Sequence, residues 1–145
     1  MRFTVPAALG GETRSTVKLL IVDDSSEIRA LLRQIAEQQQ HVVVGEAENG
    51  KEALRLLPEA QPDIILLDVS MPVMGGFATA RQLRKIAPEL AIVFISQNAG
   101  EEYVAEAFRL GACGYLLKSA VYTEFSQAIE AVTNQKNYRS AQIGA

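Results

Sequence analysis

The sequence predicts a three-layer α/β/α sandwich built on a five-stranded parallel sheet. Two observations carry the prediction. Five short runs rich in Val, Ile and Leu recur along the chain without the polar alternation of a half-exposed sheet, as strands buried on both faces require. Between them lie segments whose apolar residues fall at helical spacing, and such an alternation gives a parallel sheet with helices on both sides.

The elements follow in order. Residues 17–22 form the first strand, and Ile28, Leu31, Leu32 and Ile35 at i, i+3, i+4, i+7 form the apolar face of the first helix. Ser25 or Ser26 is its N-cap, and the glutamines at 38–40 end it. The second strand is 42–47, after which Asn49 caps a helix whose face is Gly50, Ala53, Leu54 and Leu57. Residues 64–67 make the third strand, followed by a weaker helical segment at 77–86. The fourth strand is 91–95, followed by helical residues 103–110 with Asn98 as a cap. Residues 115–117 close the sheet, and the last helix repeats the spacing with Phe125, Ala128, Ile129 and Val132 behind Thr123. Pro58, Pro62 and Pro88 punctuate the loops that lead back into strands. Residues 1–16 show no apolar period and are expected to be a flexible lead-in; 17–134 is the folded domain and 135–145 a polar tail or linker stub.

Composition narrows the function. The 145 residues are enough for one domain with a real core. A formal charge of −3 removes both the basic stripe of a general nucleic-acid binder and a polybasic membrane signal. With 48% hydrophobic and 21% charged residues the chain is not disordered overall. One Cys and one His allow neither an intrachain disulfide nor a His/Cys zinc site. The longest apolar run, 90–95, is far short of the roughly 20 residues that span a bilayer. A cytoplasmic protein with no membrane association is expected.

In a doubly wound sheet, ligands bind beyond the carboxyl ends of the strands. Strand one ends in Asp23-Asp24, strand three in Asp68, strand four in Ser96 and strand five in Lys118. Crowded carboxylates repel, so either one takes up a proton or a cation sits among them. Oxygen ligands without imidazole or thiolate favour a hard ion, Mg²⁺ above all. Lys118 can pair with Asp68 or with a phosphoryl oxygen. A cation, a lysine and a carboxylate nucleophile are the parts of phosphoryl transfer. Taken singly, each residue has a plainer use: DDSS as a helix cap, Asp68 as a turn former, Ser96 as a cap, Tyr115 as a strand residue. Their collection at one sheet edge favours the phosphoacceptor reading. His41 reads as surface filler, Cys113 as a small packed residue, and Met71 and Met74 as structural. There is no GxGxxG or Walker loop.

The blocks LLIVDDSSEIR, IILLDVSMPVMGG, VFIS and GACGYLLKSA, in that order and spacing, resemble the receiver domain of bacterial two-component response regulators over about residues 18–132. The resemblance implies the flavodoxin-like strand order 2-1-3-4-5. It implies that Asp68 accepts a phosphoryl group from a sensor histidine kinase, a phosphotransfer protein or a small phosphodonor. Asp23, Asp24, Asp68 and the main-chain carbonyl of Ser70 would hold Mg²⁺, with Asp24 a direct ligand. Lys118 would bind the phosphoryl group, Ser96 would move onto it, and Tyr115 would turn inward when Ser96 moves. A phosphorylation-dependent homodimer would form through the fourth-helix, fifth-strand, fifth-helix face, where Tyr103, Arg109, Tyr115 and Tyr122 lie. The domain would catalyse its own phosphorylation and dephosphorylation.

Two positions depart from the common pattern. Ser119 follows the lysine where many receivers have Pro, which implies a trans bond or a strained cis bond. Ser70 stands where chemotaxis receivers have Asn. GYLLKSA most resembles the NarL/LuxR-type regulators, so DNA would be reached only through a helix-turn-helix domain outside these residues. Three alternatives stay open. A haloacid-dehalogenase-type Mg²⁺ phosphohydrolase needs a second acid where Ser70 stands. An FMN carrier would find its phosphate repelled by Asp23-Asp24. A constitutive docking scaffold would keep the site without using it.

Overall fold

The computed structural model describes residues 16–143, so the lead-in expected at 1–16 lies, but for its last residue, outside the described residues. The elements are β1 (Lys18–Val22), α1 (Ser26–Gln38), β2 (Val42–Ala47), α2 (Gly50–Ala60), β3 (Ile64–Leu67), α3 (Gly76–Ile86), β4 (Ala91–Ser96), α4 (Glu101–Arg109), β5 (Gly114–Leu117), α5 (Val121–Thr133) and β6 (Tyr138–Arg139). The strands form one parallel sheet in the order β2-β1-β3-β4-β5-β6, which contains the expected 2-1-3-4-5 core.

Strand periodicity sorts the core into two layers. Leu20, Val22, Ile65, Leu67, Ile92 and Phe94 pack with Ala53 of α2, Ala80 and Leu83 of α3, and Val104 and Ala107 of α4. Leu19, Ile21, Ile64, Leu66, Val93 and Ile95 face the other way, onto Leu32 and Ile35 of α1 and Phe125, Ala128 and Ile129 of α5. Each fully buried Leu, Ile or Phe contributes about 1.5–3 kcal/mol, and the three central strands β1, β3 and β4 are almost wholly made of such residues.

Ser25 caps α1, its Oγ accepting from the Ile28 amide at 3.2 Å. Asn49 caps α2 through the Glu52 amide at 2.9 Å, while Glu52 Oε1 accepts from the Glu48 amide at 2.7 Å. The other two expected caps are not caps. Asn98 accepts from the Gly100 amide one step before α4, and Thr123 lies inside α5 with its hydroxyl donating to the Ala120 carbonyl at 3.3 Å.

Other expectations are corrected too. Pro58 is inside α2 rather than in the following loop; the helix ends beyond it at Gln61, whose left-handed φ of 46° reverses the chain. Strand β2 is an edge strand and half-exposed, with Val42 51% accessible, because its outer side has no neighbour to cover it. His41 is buried, not surface filler: its Nδ1 accepts from the Val17 amide at 3.2 Å, joining the start of β1 to the start of β2. The Lys118–Ser119 peptide is trans and opens a 3-10 turn over Lys118–Ala120.

The segment expected as a polar tail is built into the fold. Tyr138 and Ser140 donate their amides to the Cys113 and Tyr115 carbonyls, both at 3.0 Å, and Ile143 is buried in the core layer beside α4. Main-chain pairing needs no apolar pattern, which is why residues 135–143 read as tail. Among the described residues no helix is long and apolar enough to cross a membrane.

Candidate functional site

Register brings the site together. Val22 pairs with Leu67, so the next residues, Asp23 and Asp68, emerge side by side; Ser96 pairs with Leu117, which sets Lys118 beside them. The Asp23 amide donates to the Ala47 carbonyl and the Asp68 amide to the Val22 carbonyl, both at 3.0 Å, so the ladder fixes where each acid starts. Asp23, Asp68 and Ser96 are buried, whereas Asp24 is exposed.

Carboxylate oxygens of Asp23, Asp24 and Asp68 all lie within 4.8 Å of one another. Asp23 Oδ1 accepts from the Ser25 amide at 2.9 Å, and its main-chain carbonyl accepts from Arg29 at 2.6 Å. Lys118 Nζ stands 3.0 Å from Asp23 Oδ2 and 3.4 Å from Asp68 Oδ2. One ammonium therefore serves two buried carboxylates. It does not suffice: burial, and then the Asp23 charge, push Asp68 up to about 6 against the opposing pull of Lys118. For Lys118 the largest effect is burial, which lowers it, but the bond to Asp23 and the Asp68 and Asp23 charges prevail and hold the ammonium above its ordinary value.

The donor chemistry fits a hard divalent cation. Three carboxylates meet with one ammonium, no imidazole and no thiolate, and the Asp68 carboxyl is raised by burial first and by the Asp23 charge second, both of which a cation would oppose. A cleft of about 740 Å³ opens above, lined by Asp24, Asp68, Ser70, Ser96 and Lys118, with Asp23 beneath it. The structure thus groups Asp23, Asp24, Asp68 and Lys118 directly and puts Ser70 and Ser96 on the cleft wall.

Tyr115 is one layer below. Its ring is fully buried, 6.4 Å from Phe94 between centroids, and its hydroxyl donates to the Asn98 carbonyl at 2.7 Å. The Asn98 amide in turn donates to Ser96 Oγ at 3.0 Å. The ring expected to turn inward is already inside in this structure. On the same face Tyr103 and Tyr122 are exposed, at 38% and 72%.

Two features of the loop after β3 escaped sequence reasoning. A Cβ on Gly76 would lie 2.1 Å from the Asp68 carbonyl oxygen, so α3 can start this close to the end of β3 only with glycine. Val73 has φ 68°, a left-handed conformation that a β-branched residue adopts only under strain. Asn98 was singled out as a cap, but its place two residues after Ser96 was the signal for its bridging role.

A parallel sheet with helices on both faces, carrying three acids and a lysine at its carboxyl edge, defines a flavodoxin-like domain with an acidic pocket at that edge. The response regulator receiver domain family matches residues 19–130, and the chain belongs to it. It is 34% identical over 128 residues to response regulator GacA of Pseudomonas aeruginosa, covering 88% of this chain and 60% of that protein. It is 33% identical over 116 residues to chemotaxis protein CheY of Thermotoga maritima, covering 80% of this chain and 97% of that one. The crystal structure of a LuxR-family two-component response regulator from Aurantimonas sp. SI85-9A1 superposes with a TM-score of 0.85 at 34% identity, over 89% of this chain and 93% of that chain. The chain spans about 60% of the length of the GacA regulators it matches. Receiver domains bind Mg²⁺ in an acidic pocket and are phosphorylated by histidine kinases or phosphotransfer proteins.

Proposed function

We propose that Asp68 is the phosphoacceptor of this receiver domain, and the observation that carries the reading is its carboxylate 3.4 Å from Lys118 inside the Asp23–Asp24–Asp68 group. One Asp68 oxygen attacks the phosphorus of a phosphohistidine or of acetyl phosphate. The P–N or P–O bond to the donor breaks, and the imidazole or acetate leaves with that bond's electron pair. The product is an acyl phosphate, which water later cleaves to inorganic phosphate and free carboxylate. With Asp68 near 6, most of the group is ionised and nucleophilic at neutral pH. Asp23, Asp24, Asp68 and the Ser70 carbonyl would hold Mg²⁺, which would supply charge neutralisation for the incoming phosphoryl oxygens. Lys118 leaves its two carboxylates to pair with a phosphoryl oxygen. Ser96 leaves the Asn98 amide for a phosphoryl oxygen, and Tyr115 follows through Asn98.

The output fits transcription. The chain is 42% identical over 102 residues to transcriptional regulatory protein YdfI of Bacillus subtilis, although it covers only 47% of that protein. On this reading the phosphorylated domain dimerises through α4, β5 and α5 in the cytoplasm and acts on DNA through a separate domain.

Incubation with Mg²⁺ and acetyl phosphate should add the mass of one phosphoryl group to the wild type and none to Asp68→Asn. Equal labelling of both proteins would refute the assignment.

A further inference from the structure

The segment after α5 lies across the surface that the proposed function makes the readout. It leaves α5 through Gln135, at φ 63°, with the Lys136 amide closing on the Ala131 carbonyl at 2.8 Å. The two-residue strand β6 then pairs with β5. On one flank Arg139 pairs with Glu101 of α4 at 2.8 Å; on the other the Tyr138 hydroxyl donates to Glu124 of α5 at 2.9 Å. The segment therefore touches α4, β5 and α5 together.

Its central residue is Ser140, only 2% accessible. The Ser140 amide donates to the Tyr115 carbonyl at 3.0 Å, and its hydroxyl accepts from the Leu117 amide at 2.9 Å. Those partners are the aromatic residue that reaches Ser96 through Asn98 and the residue directly before Lys118. A closed set of contacts follows: Ser96 to Asn98, Asn98 to Tyr115, Tyr115 to Ser140, Ser140 to Leu117, and along the chain to Lys118.

We propose that residues 136–143 are an autoinhibitory strap whose docking on β5 is weakened when Asp68 is phosphorylated, and whose release opens the β5 edge to a second copy of this chain. The inference rests on Asp68 being the phosphoacceptor. Ser96 drawn onto the phosphoryl group gives up the Asn98 amide, and Lys118 drawn the same way pulls on Leu117. The first movement reaches Tyr115 at its hydroxyl and the second reaches Leu117 at its main chain, and these are the two residues that hold Ser140. Two ladder bonds, the Ser140 hydroxyl, the flanking contacts of Tyr138 and Arg139 and the buried Ile143 side chain resist release, on a strand of two residues that is the shortest of the sheet. Its release would leave β5 carbonyls and the Leu117 amide unpaired, the template that strand pairing between copies uses. Coupling is reciprocal, so whatever loosens the strap must also favour phosphorylation.

The test is amide hydrogen exchange by mass spectrometry on the described chain with Mg²⁺, with and without acetyl phosphate, while intact mass reports phosphorylation. Exchange at the Tyr138 and Ser140 amides should become about fivefold faster or more in phosphorylated protein, the lower end of ordinary coupling. Ser140→Ala, which removes the acceptor of the Leu117 amide, should raise the phosphorylated fraction at limiting acetyl phosphate by a similar factor. A stop codon after Gln135 should do the same and make dimerisation independent of acetyl phosphate. Unchanged or slower exchange in protein that carries the phosphoryl group would overturn the strap and leave the phosphoacceptor assignment standing. Absence of the phosphoryl group would instead overturn that assignment.

Discussion

Replacing Asp68 with Asn should stabilise the protein at neutral pH, although it removes a partner of Lys118. In the folded state the Asp68 carboxyl is raised from 3.8 to about 6, by burial first and the Asp23 charge second. The native state therefore binds the proton more tightly than the unfolded chain. This contribution to stability is fully present below pH 3.8 and is lost as pH rises through about 6. At about 1.4 kcal/mol per pK unit, the rise is worth at most about 3 kcal/mol. Water in the open cleft screens part of it, so about 1–2 kcal/mol is expected. Urea unfolding of wild type and Asp68→Asn from pH 4 to pH 8 measures it. The wild type should lose that amount relative to the variant across the window, and the variant should be the more stable above pH 7. Mg²⁺ at saturating concentration should then stabilise the wild type selectively, since it binds the folded acids and not the unfolded chain. Parallel pH curves, or a variant less stable at pH 7, would refute the claim that ionising the buried Asp68 carboxyl costs stability.

Other perturbations test its surroundings. Gly76→Ala puts a Cβ 2.1 Å from the Asp68 carbonyl oxygen and should cost about 1–3 kcal/mol in urea unfolding, with slower labelling of Asp68. Val73→Gly relieves a left-handed β-branched residue 78% exposed to solvent, and should raise stability by up to about 1 kcal/mol with no side-chain packing lost. Tyr115→Phe deletes the hydroxyl that donates to the Asn98 carbonyl and should cost about 1 kcal/mol while the acetyl phosphate reaction persists.

Most of this was written in the side chains of the central strands. Runs such as IILL at 64–67 have to be buried on both sides, so the third strand was read to the residue, and Asp68 with it. The site residues at the ends of four strands followed, because a parallel sheet sends every strand's carboxyl end to the same edge. What escaped rests on main-chain geometry or on neighbours distant in sequence. Residues 138–140 pair through N–H and C=O groups that leave no hydropathy signal. His41 looked exposed between a polar helix end and a strand, yet the Val17 amide 24 residues earlier needs its ring nitrogen. Pro58 suggests a loop, but it falls in the last turns of α2, where few backbone bonds remain to be lost.

The places where local physics is least satisfied are grouped, and the grouping explains how the fold tolerates them. Two buried carboxylates share one ammonium, a left-handed valine and a clash-limited glycine flank the same loop, and Asn98 spends both its main-chain groups on Ser96 and Tyr115. The shared ammonium and the left-handed valine are destabilising alone, whereas the Asn98 bonds are stabilising and tie the site to Tyr115. Beneath them β1, β3 and β4 form three adjacent buried strands, so the strain at their ends is opposed by the most apolar part of the molecule. On the proposed function, a phosphoryl group on Asp68 would change the partners of Lys118 and Ser96. The core below has no comparable freedom. The contacts open to such a change run sideways, along Ser96, Asn98 and Tyr115, to the β5 edge where Ser140 is held by two hydrogen bonds.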